Sequence, residues 1–313
     1  MKIKSGMYIA LLVVLLLGFF GCNKSDDPGN PDGPPVQNWV TSANAVNLLY
    51  NKSFDFASGK DDRYPVIEIN AAETFQTVDG FGFSLTGGSA MLLHQMSATE
   101  RATLLKEFFG KDSNSISVSY LRISIGASDL DPVVFSYNDL TGGLMEDPQL
   151  LHFSLSRDTL FLIPVLKEIL AINPDIKIMG SPWSAPVWMK SNKNSVGGNL
   201  LPQYYSSYAQ YFVKYIQAMK ARGITIDAVT PQNEPQHGGN NPSLVMSAAM
   251  EGEFIRDHLG PAFHAAGITT KIIIWDHNCD NPQFPIQILN DATAKSFIDG
   301  SAFHLYGGDV SAL

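Results

Sequence analysis

From about residue 80 onward, short apolar segments alternate with longer amphipathic ones, and this alternation limits the folds that the chain can adopt. The apolar segments are bounded by turn-forming residues, which is typical of strands buried on both faces. Strands that alternate with helices predict a parallel sheet covered by helices. The six predicted strands lie at residues 80–85, 117–125, 176–180, 226–230, 272–275 and 301–305.

The segments between these strands carry helix start and stop signals. Ser97 and Glu100 form a capping box before the first predicted helix. Pro164 lies in the first turns of another helix, where proline is tolerated. Three predicted helices are followed by glycines that suit C-terminal caps, namely Gly110, Gly223 and Gly267. The predicted helices cover residues 101–109, 158–172, 204–222 and 244–266.

A chain of this pattern forms either an open nucleotide-binding sheet or a closed eight-stranded barrel. The open sheet would carry a glycine-rich phosphate turn after its first strand. The glycines within residues 80–82 and 86–88 lack that spacing, and no GxxxxGK[ST] motif occurs. Polar and aromatic residues follow nearly every strand, at the edge where barrels bind substrates. We therefore predict an α/β fold, a (β/α)8 TIM barrel over residues 79–313 that is truncated after about strand six.

The first residues predict export rather than a folded segment. Residues 1–21 combine two lysines, an apolar run and a small residue before Cys22, which is typical of a bacterial lipoprotein signal peptide. The apolar run is too short for a membrane span of roughly 20 residues. We expect Cys22 to be lipidated and to anchor the chain to the outer membrane, on its periplasmic or cell-surface side. The Pro- and Gly-rich residues 22–38 are then a flexible tether.

Between this tether and the barrel, residues 39–78 show a different pattern. Short apolar runs at residues 46–50 and 66–69 are separated by polar breaks. These runs predict strands that precede the first strand of the barrel.

Composition excludes several classes of partner and cofactor. The net charge is −9 and no Lys/Arg cluster occurs beyond the first few residues, so nucleic acid would be repelled. The seven histidines are scattered and no H-E-x-x-H motif occurs, so neither a metal site nor a metal-dependent hydrolase is expected. No cofactor is predicted. With Cys22 acylated, Cys279 has no disulfide partner. Oligomeric state is not set by the sequence.

The strongest local signal is the segment Thr230 to Pro235, which follows the fourth predicted strand. An adjacent Asn233 and Glu234 at this edge suit glycoside hydrolysis. The glutamic acid would protonate the departing glycosidic oxygen, and the amide would bind the 2-hydroxyl group of the sugar. Glu234 is therefore the predicted catalytic residue.

Other strand ends add candidate substrate-binding residues. Trp183 and Trp188 lie in a proline-rich loop after strand three, where rigid indoles suit sugar stacking. Arg122 lies in the apolar second strand and requires a buried carboxylate partner. Asp129 follows that strand. His304 and Tyr306 end strand six and present groups that bind hydroxyls.

Together these motifs resemble glycoside hydrolase family 30, which includes glucosylceramidases and endo-β-1,6-glucanases. The resemblance covers residues 76–313, and segment 84–90 is similar to the bacterial β-1,6-glucanases. It implies that Glu234 is the acid/base, that Asn233 contacts the 2-hydroxyl group and that Trp183 stacks on sugar. It also implies further roles: Asp129 binds outer sugar hydroxyls, Arg122 supports the catalytic carboxylates, and His304 with Tyr306 forms the wall of that subsite.

The same resemblance implies a fold and a reaction. The barrel would carry a β-sandwich to which residues 39–78 contribute strands, and the substrate would be a β-glucan or β-glucoside. The family's nucleophile is a glutamate at the end of strand seven, which no residue here matches. A retaining hydrolase needs two carboxyl groups. We thus expect residues 1–313 alone to be inactive, and neither Asp129 nor Asp276 is predicted to substitute. The alternative is a noncatalytic surface glycan-binding lipoprotein.

Overall fold

The computed structural model describes residues 36–48, 50–55 and 63–312. The predicted signal peptide, Cys22 and most of the predicted tether lie outside the described residues. The chain divides into two units, Met1–Gln76 and Thr77–Leu313.

The first unit contains a two-stranded antiparallel hairpin. Strands β1 (Val36–Val40) and β2 (Tyr50–Phe54) pair so that Val36 lies opposite Phe54, and all ten of their residues are exposed. A turn over residues 42–47, with Ala45 at φ 55°, includes the start of the apolar run predicted as a strand at 46–50, and β2 begins at Tyr50. The strand predicted at 66–69 is wrong, because this run is irregular. The β-sandwich contribution stays a prediction.

The second unit is built on a six-stranded parallel sheet. Its strands are hydrogen-bonded in sequence order, so the predicted parallel sheet is confirmed and it forms a half-barrel. Because all six strands run in the same direction, their carboxyl ends share one edge. The strands are β3 (Gly82–Leu85), β4 (Tyr120–Ser124), β5 (Lys177–Ser181), β6 (Ala228–Val229), β7 (Lys271–Asn278) and β8 (Gly300–His304).

The two outer strands are less buried than the sequence pattern predicts. Three of the four residues of β3 are exposed, and all five residues of β8 are only half-buried. Each of these strands has one hydrogen-bonded neighbour in the described sheet, which leaves its other edge open. The inner strand β6 is buried at both positions, as expected.

Eight α-helices are described, and all of them lie between consecutive strands of this sheet. Several ends follow their sequence signals: Ser97 accepts the Glu100 N–H, and Gly223 and Gly267 have left-handed φ values of 79° and 62°. The helices are α1 (Gly87–Gln95), α2 (Ala98–Phe109), α3 (Leu162–Ile172), α4 (Tyr205–Lys220), α5 (Ala248–Phe254), α6 (Gly260–Ala265), α7 (Gln283–Leu289) and α8 (Ala292–Lys295), with a π-helical segment Ile255–Leu259 joining α5 to α6.

The sequence pattern did not predict helix α1, which begins with two glycines. Thr86 caps it by accepting the Ser89 N–H, a signal hidden by the two glycines that follow. Gly88 is required there because a Cβ atom would lie 2.1 Å from the Leu130 carbonyl oxygen. Gly110 ends α2 with φ −63°, so it does not form the left-handed cap that its residue type suggests.

The hydrophobic core lies between the sheet and the helices, with aromatic side chains of α4 at its centre. Tyr137 stacks on Tyr211 and Tyr215, with ring centroids 5.8 and 5.6 Å apart, and all three rings are buried. These contacts hold the loop after β4 against α4 and so support the edge where the polar side chains gather. In the described part of the chain, no helix is long and apolar enough to cross a membrane.

Candidate active site

A cleft of about 920 Å³ opens at the carboxyl edge of the sheet. It receives side chains from the ends of strands β3 to β8 and from the loops that follow them. All seven predicted site residues of the barrel line it. They are Arg122, Asp129, Trp183, Asn233, Glu234, His304 and Tyr306.

Glu234 follows β6 in a left-handed backbone conformation, with φ 47°. Its backbone N–H donates to the Asp276 carbonyl oxygen at 3.0 Å, and its own carbonyl accepts the His237 N–H at 2.8 Å. Left-handed backbone is unfavourable for a residue with a Cβ atom, so these bonds hold the turn that directs Glu234 to the cleft.

Asp276 is the buried carboxylate that Arg122 requires. Its Oδ2 accepts from Arg122 Nη2 at 2.7 Å, from Ser181 Oγ at 2.6 Å and from Thr230 Oγ1 at 2.8 Å. Burial alone would raise the pKa of Asp276, but the Arg122 charge and the bonds from His304 and Ser181 hold that pKa well below its usual range. Asp276 is therefore ionised at neutral pH.

His304 bridges the two acids. Its Nδ1 lies 2.9 Å from Glu234 Oε1, and its Nε2 lies 2.9 Å from Asp276 Oδ1. Burial would lower the pKa of His304, but its hydrogen bonds to both carboxylates raise it to about 9. At neutral pH the imidazolium donates to both acids. The same contact lowers the pKa of Glu234 despite its partial burial.

Arg122 connects this network to the predicted sugar-binding residues. Its Nη2 also donates to Asn233 Oδ1 at 2.7 Å, and its guanidinium lies 4.8 Å from the centre of the Trp183 ring. Trp183 is only 7% exposed, and its indole Nε1 has no hydrogen-bond partner among the described residues. The Trp183 N–H is itself buried, and Arg122 covers part of the ring.

The remaining predicted residues differ in exposure. Asp129 and Tyr306 are exposed at the cleft rim, and Tyr306 is bonded through its backbone N–H to Asn278 Oδ1. Trp188, predicted to share a sugar platform with Trp183, does not line the cleft, and its Nε1 donates to Asn138. The apolar surface of Trp188 packs on Tyr204, so it belongs to the core.

Sequence reasoning missed part of the site. Ser181 ends β5 and Thr230 follows β6, and the hydroxyl groups of both donate to the Asp276 carboxylate. His277 also lines the cleft, and burial lowers its pKa. The signal was present, because polar residues 276–278 follow the predicted strand 272–275. In the structure β7 continues through them. Among the described residues, no group of three His, Cys, Asp or Glu could hold a metal ion.

Comparison with known proteins places this geometry in a family. Residues 78–312 match the glycosyl hydrolase family 30 TIM-barrel domain. The chain is 36% identical over 251 residues to the endo-1,6-β-D-glucanase BGN16.3 of Trichoderma harzianum, which covers 75% of this chain and 50% of that protein. It is 29% identical over 253 residues to the lysosomal acid glucosylceramidase of Mus musculus, and this match covers 77% of this chain and 48% of that protein.

A solved structure gives the same result. The endo-β1,6-glucanase BT3312 superposes with a TM-score of 0.76 and 39% identity, over 86% of this chain and 59% of that one. The chain spans about half the length of the curated relatives it matches. Its six-stranded parallel half-barrel is the fold expected for part of that barrel. On the match over residues 78–312, the chain belongs to glycosyl hydrolase family 30.

Proposed function

We propose that this chain supplies the acid/base of a retaining glycoside hydrolase that cleaves β-linked glucosides, with Glu234 as the residue that moves the proton. The supporting observation is that Glu234 lines the cleft with its carboxylate bound to His304 and its neighbour Asn233 bound to Arg122. Amide and acid thus project from one short loop after β6. This suits simultaneous contact with the 2-hydroxyl group and the glycosidic oxygen.

The proposed substrate is a β-1,6-glucan. Two of the proteins compared above are endo-β-1,6-glucanases, at 36% and 39% identity. An open cleft with an exposed Asp129 and Tyr306 at its rim can admit a chain of sugars. A glucosylceramide is the substrate to compare with it, because another relative is a glucosylceramidase.

The acid step needs a protonated Glu234, whereas His304 favours its carboxylate. A second carboxyl group held about 5 to 5.5 Å away would raise the pKa of Glu234 by like-charge repulsion. Asp276 does not suit the nucleophile role, because Arg122, Ser181, Thr230 and His304 already occupy its oxygens. The proposal assigns the nucleophile to a carboxylate outside the described residues, and residues 1–313 alone are expected to be inactive.

The test is hydrolysis of β-1,6-glucan and of an aryl β-glucoside by the full-length protein. Glu234→Gln should lower the rate by about 10²- to 10⁴-fold while glucan binding is retained. Glu253→Gln, at an exposed position of α5, is the matched control and should be fully active. Unchanged turnover in Glu234→Gln would exclude this acid/base role. Glucan binding without turnover in the wild-type protein would favour the noncatalytic glycan-binding alternative.

The proposal includes export and a lipid anchor. Residues 1–21 would be removed as a signal peptide and Cys22 would be acylated, which places the enzyme at the bacterial outer membrane. Labelled palmitate should be incorporated into the wild type and not into Cys22→Ser. Equal labelling of the two proteins would contradict this anchor.

A further inference from the structure

One buried acid lies behind the site without taking part in the network described above. Glu251, in α5, is 0% exposed. Its Oε1 accepts the backbone N–H of Trp275 at 3.2 Å, and its Oε2 has no partner among the described residues. Helix α5 thereby contacts β7 at the residue that precedes Asp276.

The backbone at this point of β7 is irregular. Trp275 and Asp276 have left-handed φ values of 75° and 45°. The pairing with β8 passes from Trp275 opposite Ala302 to His277 opposite Phe303, so Asp276 is the extra residue of a β-bulge. Left-handed backbone is unfavourable for a residue with a Cβ atom, so the bulge persists only because surrounding contacts hold it.

The bulge determines where the groups of the site lie. It turns the Asp276 carboxylate toward Arg122 and His304, and its carbonyl oxygen accepts the Glu234 N–H at 3.0 Å. A contact that fixes the Trp275 amide therefore fixes both acids bound to His304. Glu251 supplies that contact from the helix layer.

The charge state of Glu251 suits this use. Burial, aided by the negative charge of Asp276, raises the pKa of Glu251 to about 8. At neutral pH Glu251 is uncharged beside an ionised Asp276. It accepts the Trp275 N–H without placing a second negative charge beside the Arg122–Asp276 pair.

We propose that Glu251 is a positioning residue, whose carboxyl oxygen fixes the Trp275–Asp276 bulge and thereby holds Asp276 and Glu234 on either side of His304. The effect of Glu251 on catalysis rests on the proposed function. Its effect on the contacts of His304 does not depend on that function.

The experiment measures the pKa of His304 by NMR titration of its ring, which does not require an active enzyme. The groups facing this ring are Glu234, Asp276, Arg122 and His277. Glu251→Gln keeps an acceptor oxygen and should leave the pKa of His304 near its wild-type value. Glu251→Met has similar length and no oxygen, and the pKa of His304 should fall toward 6.5 while circular dichroism stays unchanged. An unchanged His304 titration in folded Glu251→Met would overturn the proposal.

A second measurement keeps the test decisive if Glu251→Met fails to fold. In the wild type, the Trp275 amide resonance should shift with a midpoint near the pKa of Glu251, about 8, and in Glu251→Gln this transition should be lost. A Trp275 amide that does not respond in the wild type would overturn the proposal. In the full-length enzyme, folded Glu251→Met should lower kcat by about 10²-fold with KM unchanged. Glu251→Gln should keep the wild-type kcat.

Discussion

The backbone N–H of Glu234 donates to the carbonyl oxygen of Asp276 across 3.0 Å, so the ends of β6 and β7 are joined through their two acids. Asp276 thus contributes twice to the site. Its carboxylate neutralises Arg122 and binds His304, while its peptide group anchors the turn that carries Glu234. A change at Asp276 is therefore expected to move Glu234 as well as the charge network.

The first prediction concerns His304 and pH. Its pKa is raised to about 9 in the folded state from 6.5 in the unfolded chain, so its stabilising contribution is fully present below pH 6.5 and is lost as pH rises through 9. The loss is on the order of 3 kcal/mol. The difference in free energy of unfolding between the wild type and His304→Gln, measured by urea denaturation, should shrink between these pH values. A difference that is constant with pH would contradict the bridging role.

Sequence reasoning located the site better than it located the contacts within it. The apolar strands and the polar residues after them predicted the parallel sheet and placed Glu234 and His304 at one edge, because strand direction alone fixes that edge. Ser181 and Thr230, which also bind Asp276, were not predicted. Their contacts depend on the left-handed turns at Glu234 and Asp276, and residue type does not favour that conformation in glutamate or aspartate as it does in glycine.

Contacts between residues that are distant in sequence also explain the errors at Trp188 and at helix α1. The tryptophans of the loop after β5 have similar sequence surroundings, yet Trp183 lines the cleft and Trp188 is core. Their difference follows from Asn138, which lies far away in sequence and accepts the Trp188 N–H. Local pattern likewise missed α1, because Gly88 is required by a distant carbonyl oxygen rather than by a turn.

A second prediction concerns the buried acid Glu251. Its folded-state pKa of about 8 lies above the unfolded value of 4.5, so its stabilising contribution is complete below pH 4.5 and is lost as pH rises through 8. Glu251→Gln carries no such titration. Its stability relative to the wild type should therefore increase by a few kcal/mol from pH 4.5 to pH 8, as measured by chemical denaturation. No relative gain across this range would mean that Glu251 is ionised when folded.

The third prediction concerns the Arg122–Asp276 pair. Arg122→Ala leaves the buried Asp276 carboxylate without its cation and should destabilise the fold by about 3–5 kcal/mol. Lys111→Ala is the control, because the pair of Lys111 with Asp175 is exposed to solvent and should contribute little to stability. Equal effects of the two substitutions on thermal unfolding would show that the buried pair is not the support of this edge.

The last prediction separates the strain at Glu234 from its chemistry. Glu234→Gly and Glu234→Ala both remove the contact with His304, and both should be inactive in the full-length enzyme. They differ in the backbone, because at φ 47° alanine retains the left-handed penalty and glycine does not. Although glycine loses more conformational entropy on folding, Glu234→Gly should be the more stable of the two by about 1 kcal/mol.

The control for this comparison is Glu253, an exposed residue of helix α5. There the order should reverse, with alanine more stable than glycine by about 1 kcal/mol, because helical backbone favours alanine. Thermal unfolding of the four variants gives both differences. If alanine were the more stable residue at both positions, Glu234 would carry no backbone strain. If glycine is more stable than alanine at position 234 and not at position 253, the left-handed turn that places the Glu234 carboxylate in the cleft lowers the stability of the fold.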